Sequence, residues 1–259
     1  MTLLLWHQAS LAFFVYVCAI LALRRPWTRR LSRALAGAAV GVAVVLFAAA
    51  VEQPAVLADW IWPPLVLLIA YWTSGLLFVR PSPSQERALM WFDERLRIRD
   101  LARRTPRAIA ELLEISYVGV YPLIPIALIV QRALTPDASV DRFWTTILAT
   151  DFLCFGVLPW VQTRPPRAME PGEPWTSTVR PLNLRLRGGT SLQVNTFPSG
   201  HAAEALAAAL LSTAAPAPIV LSMFAAAAAV AAGAVLGRYH FAADAVTGWL
   251  VAALVWALV

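Results

Sequence analysis

Two histidines in the last third of the chain have neighbours that suit covalent or acid–base chemistry. His201 follows Pro-Ser-Gly, and His240 precedes Asp244 by four residues. A spacing of four places two side chains on one face of a helix. An Asp in that position can hold one ring nitrogen of a His and leave the other to act as a nucleophile. The third histidine, His7, lies in the first apolar segment and is interpreted as structural.

The residues before His201 are typical of a helix start. Pro fits the first turn, Ser is a good N-cap, and the free amides of a first turn form an anion site. Ionisable groups at membrane depth are costly, which makes His201 and His240 functional candidates. A structural alternative stays open, in which His201 only caps a helix and Asp244 only pairs with Arg238.

The elements that must position these residues are apolar helices. Of the 259 residues, 59% are hydrophobic and 14% charged, whereas a soluble domain has about 25% charged residues. Ala and Leu dominate the apolar runs without alternation, which favours helices over a barrel. We predict an all-α, polytopic membrane helix bundle with about eight transmembrane helices, and a kink at Pro122 and Pro125. The candidate spans are 3–23, 34–50, 61–79, 109–131, 143–162, 200–215, 217–236 and 243–259.

Three loops carry most of the charge. All 21 basic residues are Arg, and they flank the apolar runs, so we expect a lipid bilayer as partner and no nucleic acid. Residues 80–108 suit either an amphipathic helix on a lipid surface or a solvated loop. The loop 163–199 is long enough to be functional. The positive-inside rule puts the basic loops in the cytoplasm, but one span more or fewer would reverse this, so the side of the membrane stays open; we expect a multi-pass protein of the cell (inner) membrane.

The combined motifs resemble the type-2 phosphatidic acid phosphatases, a superfamily that includes the inositol phosphorylceramide synthases as a branch. Its pattern is Lys, six residues, Arg-Pro; then Pro-Ser-Gly-His; then Ser-Arg, five residues, His, three residues, Asp. The resemblance covers residues 61–259, with an active-site loop at 163–201, and makes 1–60 two additional helices. Arg164-Pro165 supplies the first block's Arg-Pro.

The chain departs from this pattern at three positions. The family's Lys falls on Val157, and the sequence has no Lys elsewhere. The Ser-Arg pair falls on Gly233 and Ala234. Arg238 comes four residues later, one turn along if the segment is helical, and we expect it to replace the missing Arg.

The resemblance implies a mechanism that these residues could also perform unaided. His240 attacks phosphorus, Asp244 orients it, and His201 protonates the leaving oxygen. Phosphate-binding residues would be Arg164, Arg167, Ser199, Gly200 and Arg238. We expect no metal and no cofactor, since the acids Asp151, Glu170, Glu173 and Glu204 are scattered without ligand spacing.

Three functions remain open from the sequence. The first is a lipid phosphate phosphohydrolase, with a phospholipid or polyprenyl (di)phosphate as substrate. The second is a phosphotransferase that uses a lipid hydroxyl in place of water. The third is an inactive lipid-binding or transport relative, which the missing Lys would favour.

Overall fold

The computed structural model describes residues 2–24, 26–52, 54–190, 194–195 and 197–259. Within those residues it is all-helical, with one isolated antiparallel bridge between Thr163 and Asn195. The α-helices are α1 (Leu5–Leu23), α2 (Arg29–Ala50), α3 (Ala55–Trp60), α4 (Trp62–Gly75), α5 (Pro83–Arg95), α6 (Ile98–Arg104), α7 (Arg107–Val118), α8 (Val120–Leu134), α9 (Val140–Gly156), α10 (Arg180–Thr190), α11 (Gly200–Leu211), α12 (Ala217–Leu236) and α13 (Ala242–Leu258).

Each of the eight predicted spans contains helix, but the helices differ in length. By length and composition, four described helical segments can cross a membrane: Leu5–Leu23, Arg29–Ala50, Ala55–Gly75 and Ala217–Leu236. The pair α7 and α8 makes a fifth if it counts as one broken span, and α11 and α13 are apolar but shorter. The predicted class, a polytopic helical membrane bundle, is confirmed. The count of eight crossings stays a prediction.

The predicted kink lies between α7 and α8, which are bent by 63°. The break falls at Gly119, ahead of the two prolines. Pro122 has no N–H to donate to the carbonyl of Val118, four residues before it, and its ring clashes there. The helix therefore breaks before Pro122, while Pro125 stays inside α8.

The Ala-rich helix α11 lies at the centre of the bundle, in contact with α8, α9, α12 and α13. Its buried residues are Gly200 and six alanines, and such small side chains let neighbouring backbones approach closely. Gly248 of α13 provides one such approach, because a Cβ there would lie 2.5 Å from the Ser199 carbonyl oxygen. This packing fixes the start of α11 against the first turns of α13.

The two N-terminal helices pack on the same bundle. α1 contacts α9, and α2 contacts α4, while Tyr16 donates a hydrogen bond to the Gly156 carbonyl at 2.5 Å. His7 accepts from the Leu4 amide at 3.1 Å and thus caps α1. The predicted boundary at residue 61 stays a prediction.

Residues 83–104 form two short helices, α5 and α6, with an unusual distribution of side chains. Glu86 and Asp93 are buried against the bundle, whereas Trp91 is 56% exposed. Phe92, Leu96 and Leu101 are exposed as well. The structure favours the amphipathic helix over the solvated loop for this segment, since apolar side chains face outward. The carboxylates of Glu86 and Asp93 face inward and contact arginines of the candidate site.

Candidate active site

His240 and Asp244 pair at the start of α13. His240 lies before the helix, since Phe241 is the N-cap residue. The His240 amide donates to the Ala234 carbonyl at 2.9 Å, which turns the chain back after α12. Nδ1 of His240 lies 3.3 Å from Oδ2 of Asp244, and that oxygen also accepts from the Phe241 amide at 2.9 Å. The predicted pairing is confirmed, although His240 is not on the helical face that the spacing suggested.

His201 occupies the first turn of α11. Ser199 is the N-cap residue, as predicted, and its side chain accepts from the Ala202 amide at 3.4 Å. The Ser199 amide donates to the carbonyl of Asp244 at 2.9 Å. This hydrogen bond joins the two sequence motifs, beside the close approach of Gly248 to the Ser199 carbonyl.

The rings of His201 and His240 have centroids 6.3 Å apart, inclined at 45°. Two tyrosines hold His201 from the side of α7 and α8. Tyr117 stacks on it at 5.3 Å, and the Tyr121 hydroxyl lies 3.4 Å from Nε2. Sequence reasoning missed both tyrosines.

Both histidines line a cavity of about 710 Å³. From Asp151 to Trp144 it follows α9 for two turns, which is about 10 Å. The described lining is mostly apolar and contains no Arg: Trp60, Pro64, Leu67, Leu68, Tyr71, Trp72, Val118, Tyr121, Ile124, Pro125, Trp144, Asp151, Phe155, Leu186, Val194, Gly200, His201, Glu204 and His240.

Arg164 is held by a carboxylate from α5. Its Nε and Nη2 donate to Glu86 at 2.9 and 2.8 Å, and its amide donates to the same carboxylate at 2.9 Å. The hydrogen bonds from Arg164 hold the pKa of Glu86 below its ordinary value. The Arg164 side chain remains 48% exposed, so one side of its guanidinium faces outward.

Arg238 is enclosed more completely. Its guanidinium pairs with Asp93 at 2.6 Å and with Glu170, and its side chain is 2% exposed. Burial raises the pKa of Asp93, and the charge of Arg238 opposes that rise. The segment is not helical at Arg238, because α12 ends at Leu236 and Arg238 adopts φ 60°, so Arg238 does not share a helical face with Ala234. Its role in binding phosphate stays a prediction.

Close packing explains one departure from the expected pattern. A Cβ on Gly233 would lie 2.5 Å from the Leu113 carbonyl oxygen of α7. A Ser at this position would therefore push α7 and α12 apart.

Arg167 lies beside the segment that carries His240. Its amide donates to the Arg238 carbonyl at 3.0 Å, and its guanidinium carbon sits 5.5 Å from the centre of the Tyr239 ring. Among the predicted phosphate-binding arginines, Arg167 is the one that contacts the residue next to His240.

A buried carboxylate, Glu114 of α7, fixes the long loop above the site. It accepts hydrogen bonds from Trp175, Arg180, Asn183 and Tyr239 at 2.7 to 2.9 Å. The long loop, α7 and the segment before α13 therefore meet at the Glu114 carboxylate. The sequence did not predict this contact.

The described residues contain no group of three or more potential metal ligands, but the four acids named from the sequence are not isolated. Glu170 pairs with Arg238, and Glu173 with Arg180. Asp151 of α9 and Glu204 of α11 both line the cavity. Sequence spacing hid this pair because it forms between two helices that are distant in the chain.

Comparison with known proteins gives one match. A family model described as the PAP2 superfamily matches residues 84–258, which includes both histidines and Asp244. No curated protein and no solved structure matches the chain.

Proposed function

Since the chain belongs to the PAP2 superfamily, whose membership supports a phosphatase-like membrane enzyme, we propose that it is a metal-independent lipid phosphate or diphosphate phosphohydrolase. The observation that carries this proposal is that His201 and His240 both line the cavity, with ring centroids 6.3 Å apart. In an in-line displacement one side chain attacks phosphorus while another meets the leaving oxygen, so two histidines at one cavity suit the two roles.

The reaction proceeds in two displacements through a phosphohistidine. Nε2 of His240 attacks phosphorus while the bond from phosphorus to the leaving oxygen breaks and His201 protonates that oxygen. Water then attacks phosphorus, His201 accepts its proton, and the nitrogen–phosphorus bond breaks to release phosphate and restore His240. Asp244 holds Nδ1 and stabilises the positive charge that the ring gains in the first step.

The phosphate oxygens require cations and N–H donors. Arg167 is the first of these, since it lies beside the His240 segment. The start of α11, at Ser199 and Gly200, adds the amides and positive dipole end of a helix. Arg164 joins them when a phosphate oxygen displaces Glu86 from its half-exposed guanidinium.

Arg238 has a different role in this proposal. Two carboxylates already pair with its buried guanidinium, and removing one partner of a buried ion pair is costly. Arg238 therefore positions the segment that carries His240, and it binds phosphate only if Glu170 moves away.

The lipid part of the substrate belongs in the apolar cavity. The cavity extends from the histidines toward Trp144, and apolar surface buried there favours an acyl or prenyl chain. This supports a lipid ester over a small soluble phosphate, and it supports phospholipid and polyprenyl (di)phosphate substrates alike.

The decisive experiment uses purified protein in detergent with phosphatidate, phosphatidylglycerophosphate and polyprenyl diphosphates. We expect inorganic phosphate to appear, and the His240→Asn variant to release none. Transfer of the phospho-head-group to an added lipid alcohol, without free phosphate, would identify a phosphotransferase. Neither product from any lipid would identify an inactive relative.

A further inference from the structure

The cavity contains a pair of carboxyl groups for which the reaction above has no use. Asp151 is fully buried on α9, and Glu204 is partly buried on α11. Both line the cavity. Oδ1 of Asp151 lies over the first turn of α11, 3.2 Å from where a Cβ on Gly200 would be.

Neither oxygen of Asp151 has a hydrogen-bond donor among the described residues. Buried polar atoms are hydrogen-bonded in about 90% or more of cases, and an unsatisfied buried carboxyl is costly. Two neighbouring carboxyl groups in apolar surroundings resist being ionised together. Even when one of them is protonated, the remaining oxygens stay acceptors at the cavity that both residues line.

The described residues do not supply the missing donors to Asp151. No Arg is among the described residues that line the cavity, so an internal ion pair does not explain the acids. A ligand that carries hydroxyl or ammonium hydrogens would satisfy them.

The position of the pair shows which part of the substrate it meets. Glu204 follows His201 by three residues and lies one turn along the same face of α11. His201 is the group that protonates the leaving oxygen in the proposed reaction. Both His201 and Glu204 line the cavity, and His201 meets the leaving oxygen, so Glu204 is assigned to the alcohol part of the ester.

We propose that Asp151 and Glu204 form a specificity site for a hydrogen-bond donor, a hydroxyl or an ammonium group, carried by the alcohol part of the substrate next to the phosphate ester. The inference rests on the proposed function for the identity of the ester. The site itself rests on the cavity and the unsatisfied carboxyl.

Three synthetic esters of equal chain length test the selectivity: dodecyl phosphate, 2-hydroxydodecyl phosphate and 2-aminododecyl phosphate. We expect kcat/KM for at least one donor-bearing ester to exceed that for dodecyl phosphate by about tenfold, the effect of a hydrogen bond to a charged group. Asp151→Asn and Glu204→Gln should each bring that ratio close to one. The hydroxyl and amino esters identify which donor the pair prefers.

A matched control separates this effect from a general loss of charge. Asp137→Asn makes the same chemical change at an exposed position between α8 and α9 and should leave the ratio as in the wild type. An unchanged ratio in the Asp151 and Glu204 variants, or a wild-type ratio near one for both donor esters, would overturn the inference.

A binding measurement tests the site even if the wild type releases no phosphate. Trp60, Trp72 and Trp144 line the cavity, so a bromine atom on a bound chain should quench their fluorescence. We expect 12-bromododecane-1,2-diol or its 2-amino analogue to bind about tenfold more tightly than 12-bromododecan-1-ol. Selective binding without turnover would reject the phosphohydrolase and keep the site. Equal binding of all three probes to the wild type would reject the site itself.

Discussion

The amide of Ser199 donates a hydrogen bond to the carbonyl of Asp244 at 2.9 Å. Ser199 caps α11, two residues before His201. Asp244 lies in the first turn of α13 and pairs with His240. The bond is between main-chain atoms, so its geometry depends on helix packing more than on side-chain identity. Gly248 makes that packing possible, because any Cβ there would meet the Ser199 carbonyl.

Replacing His201 should reduce activity by an amount that depends on the substrate, whereas replacing His240 should abolish activity on every substrate. His240→Ala removes the nucleophile, so we expect no phosphoenzyme and turnover at background. His201→Ala removes the general acid, which is worth about 10²–10⁴-fold for a poor leaving group. Hydrolysis of p-nitrophenyl phosphate needs little protonation and should suffer less than hydrolysis of a phospholipid. Rapid-quench trapping of the phosphoenzyme and initial rates on both substrates measure the difference.

An equal loss on both substrates in His201→Ala would contradict the assignment of His201 as the general acid. Tyr121→Phe provides a matched control, since it removes only the hydroxyl near Nε2 of His201. It should change the rate on both substrates by the same small factor.

Replacing Arg238 should lower both stability and activity, whereas replacing Arg167 should lower activity alone. Arg238→Ala leaves Asp93 and Glu170 without their cation, and breaking a buried ion pair costs about 3–5 kcal/mol. We therefore expect a marked fall in the melting temperature together with the loss of activity. Arg167→Ala should lower kcat/KM while the melting temperature stays near that of the wild type. Thermal unfolding in detergent, followed beside kinetics, gives both quantities; an Arg238→Ala protein of normal stability would contradict the positioning role.

The sequence predicted the candidate catalytic residues better than it predicted the ion-pair partners of the arginines. His201, His240, Asp244 and the Ser199 cap were identified because their spacing and their place at helix starts are local properties. The partners of the arginines were not, since Glu86, Asp93 and Glu170 lie far from them in the chain. The meeting of Asp151 and Glu204 was missed for the same reason. The predicted span 217–236 ends where α12 ends, but the turn that follows, with Arg238 outside the helix, was not predicted.

Glu86 should restrain the binding of phosphate by Arg164. The carboxylate makes two side-chain hydrogen bonds to Arg164, so an anion must displace it. We expect Glu86→Gln to tighten inhibition by orthovanadate by about threefold, since a half-exposed pair is weak. Arg164→Ala should weaken inhibition instead. If Glu86→Gln weakens it too, Glu86 orients Arg164 and does not compete with phosphate. Inhibition constants for the three proteins decide between these outcomes.

Activity should survive an excess of chelator. In the proposed reaction the nucleophile, the acid and the phosphate-binding groups are all side chains or amides of this chain, so EDTA has nothing to remove. Orthovanadate should inhibit, because it mimics pentacoordinate phosphorus. Turnover that EDTA abolishes and added magnesium restores would contradict the mechanism. Phosphate release with and without EDTA, at saturating substrate, is the measurement.

The basic end of the molecule, which carries the site, should face the cytoplasm. Arg24 of the first basic loop donates to the Pro159 carbonyl, and Gln85 of α5 donates to the Trp160 carbonyl. Both loops therefore lie beside the segment that leads to the site. Outside the site, the loops 24–33 and 80–107 contain thirteen Arg, whereas the opposite end has only Arg132 and Arg142. The positive-inside rule then predicts the orientation.

Cysteine accessibility tests this orientation in intact cells. With Cys18 and Cys154 replaced by Ala, single cysteines are introduced by Ser84→Cys at the basic end and Asp137→Cys at the other, both at exposed positions. An impermeant maleimide added outside should label the Asp137→Cys protein and spare the Ser84→Cys protein until the cells are opened. The reverse pattern would place the histidines on the outer face. Substrate would then have to reach them from the outer leaflet, and the thirteen arginines would be an exception to the charge rule.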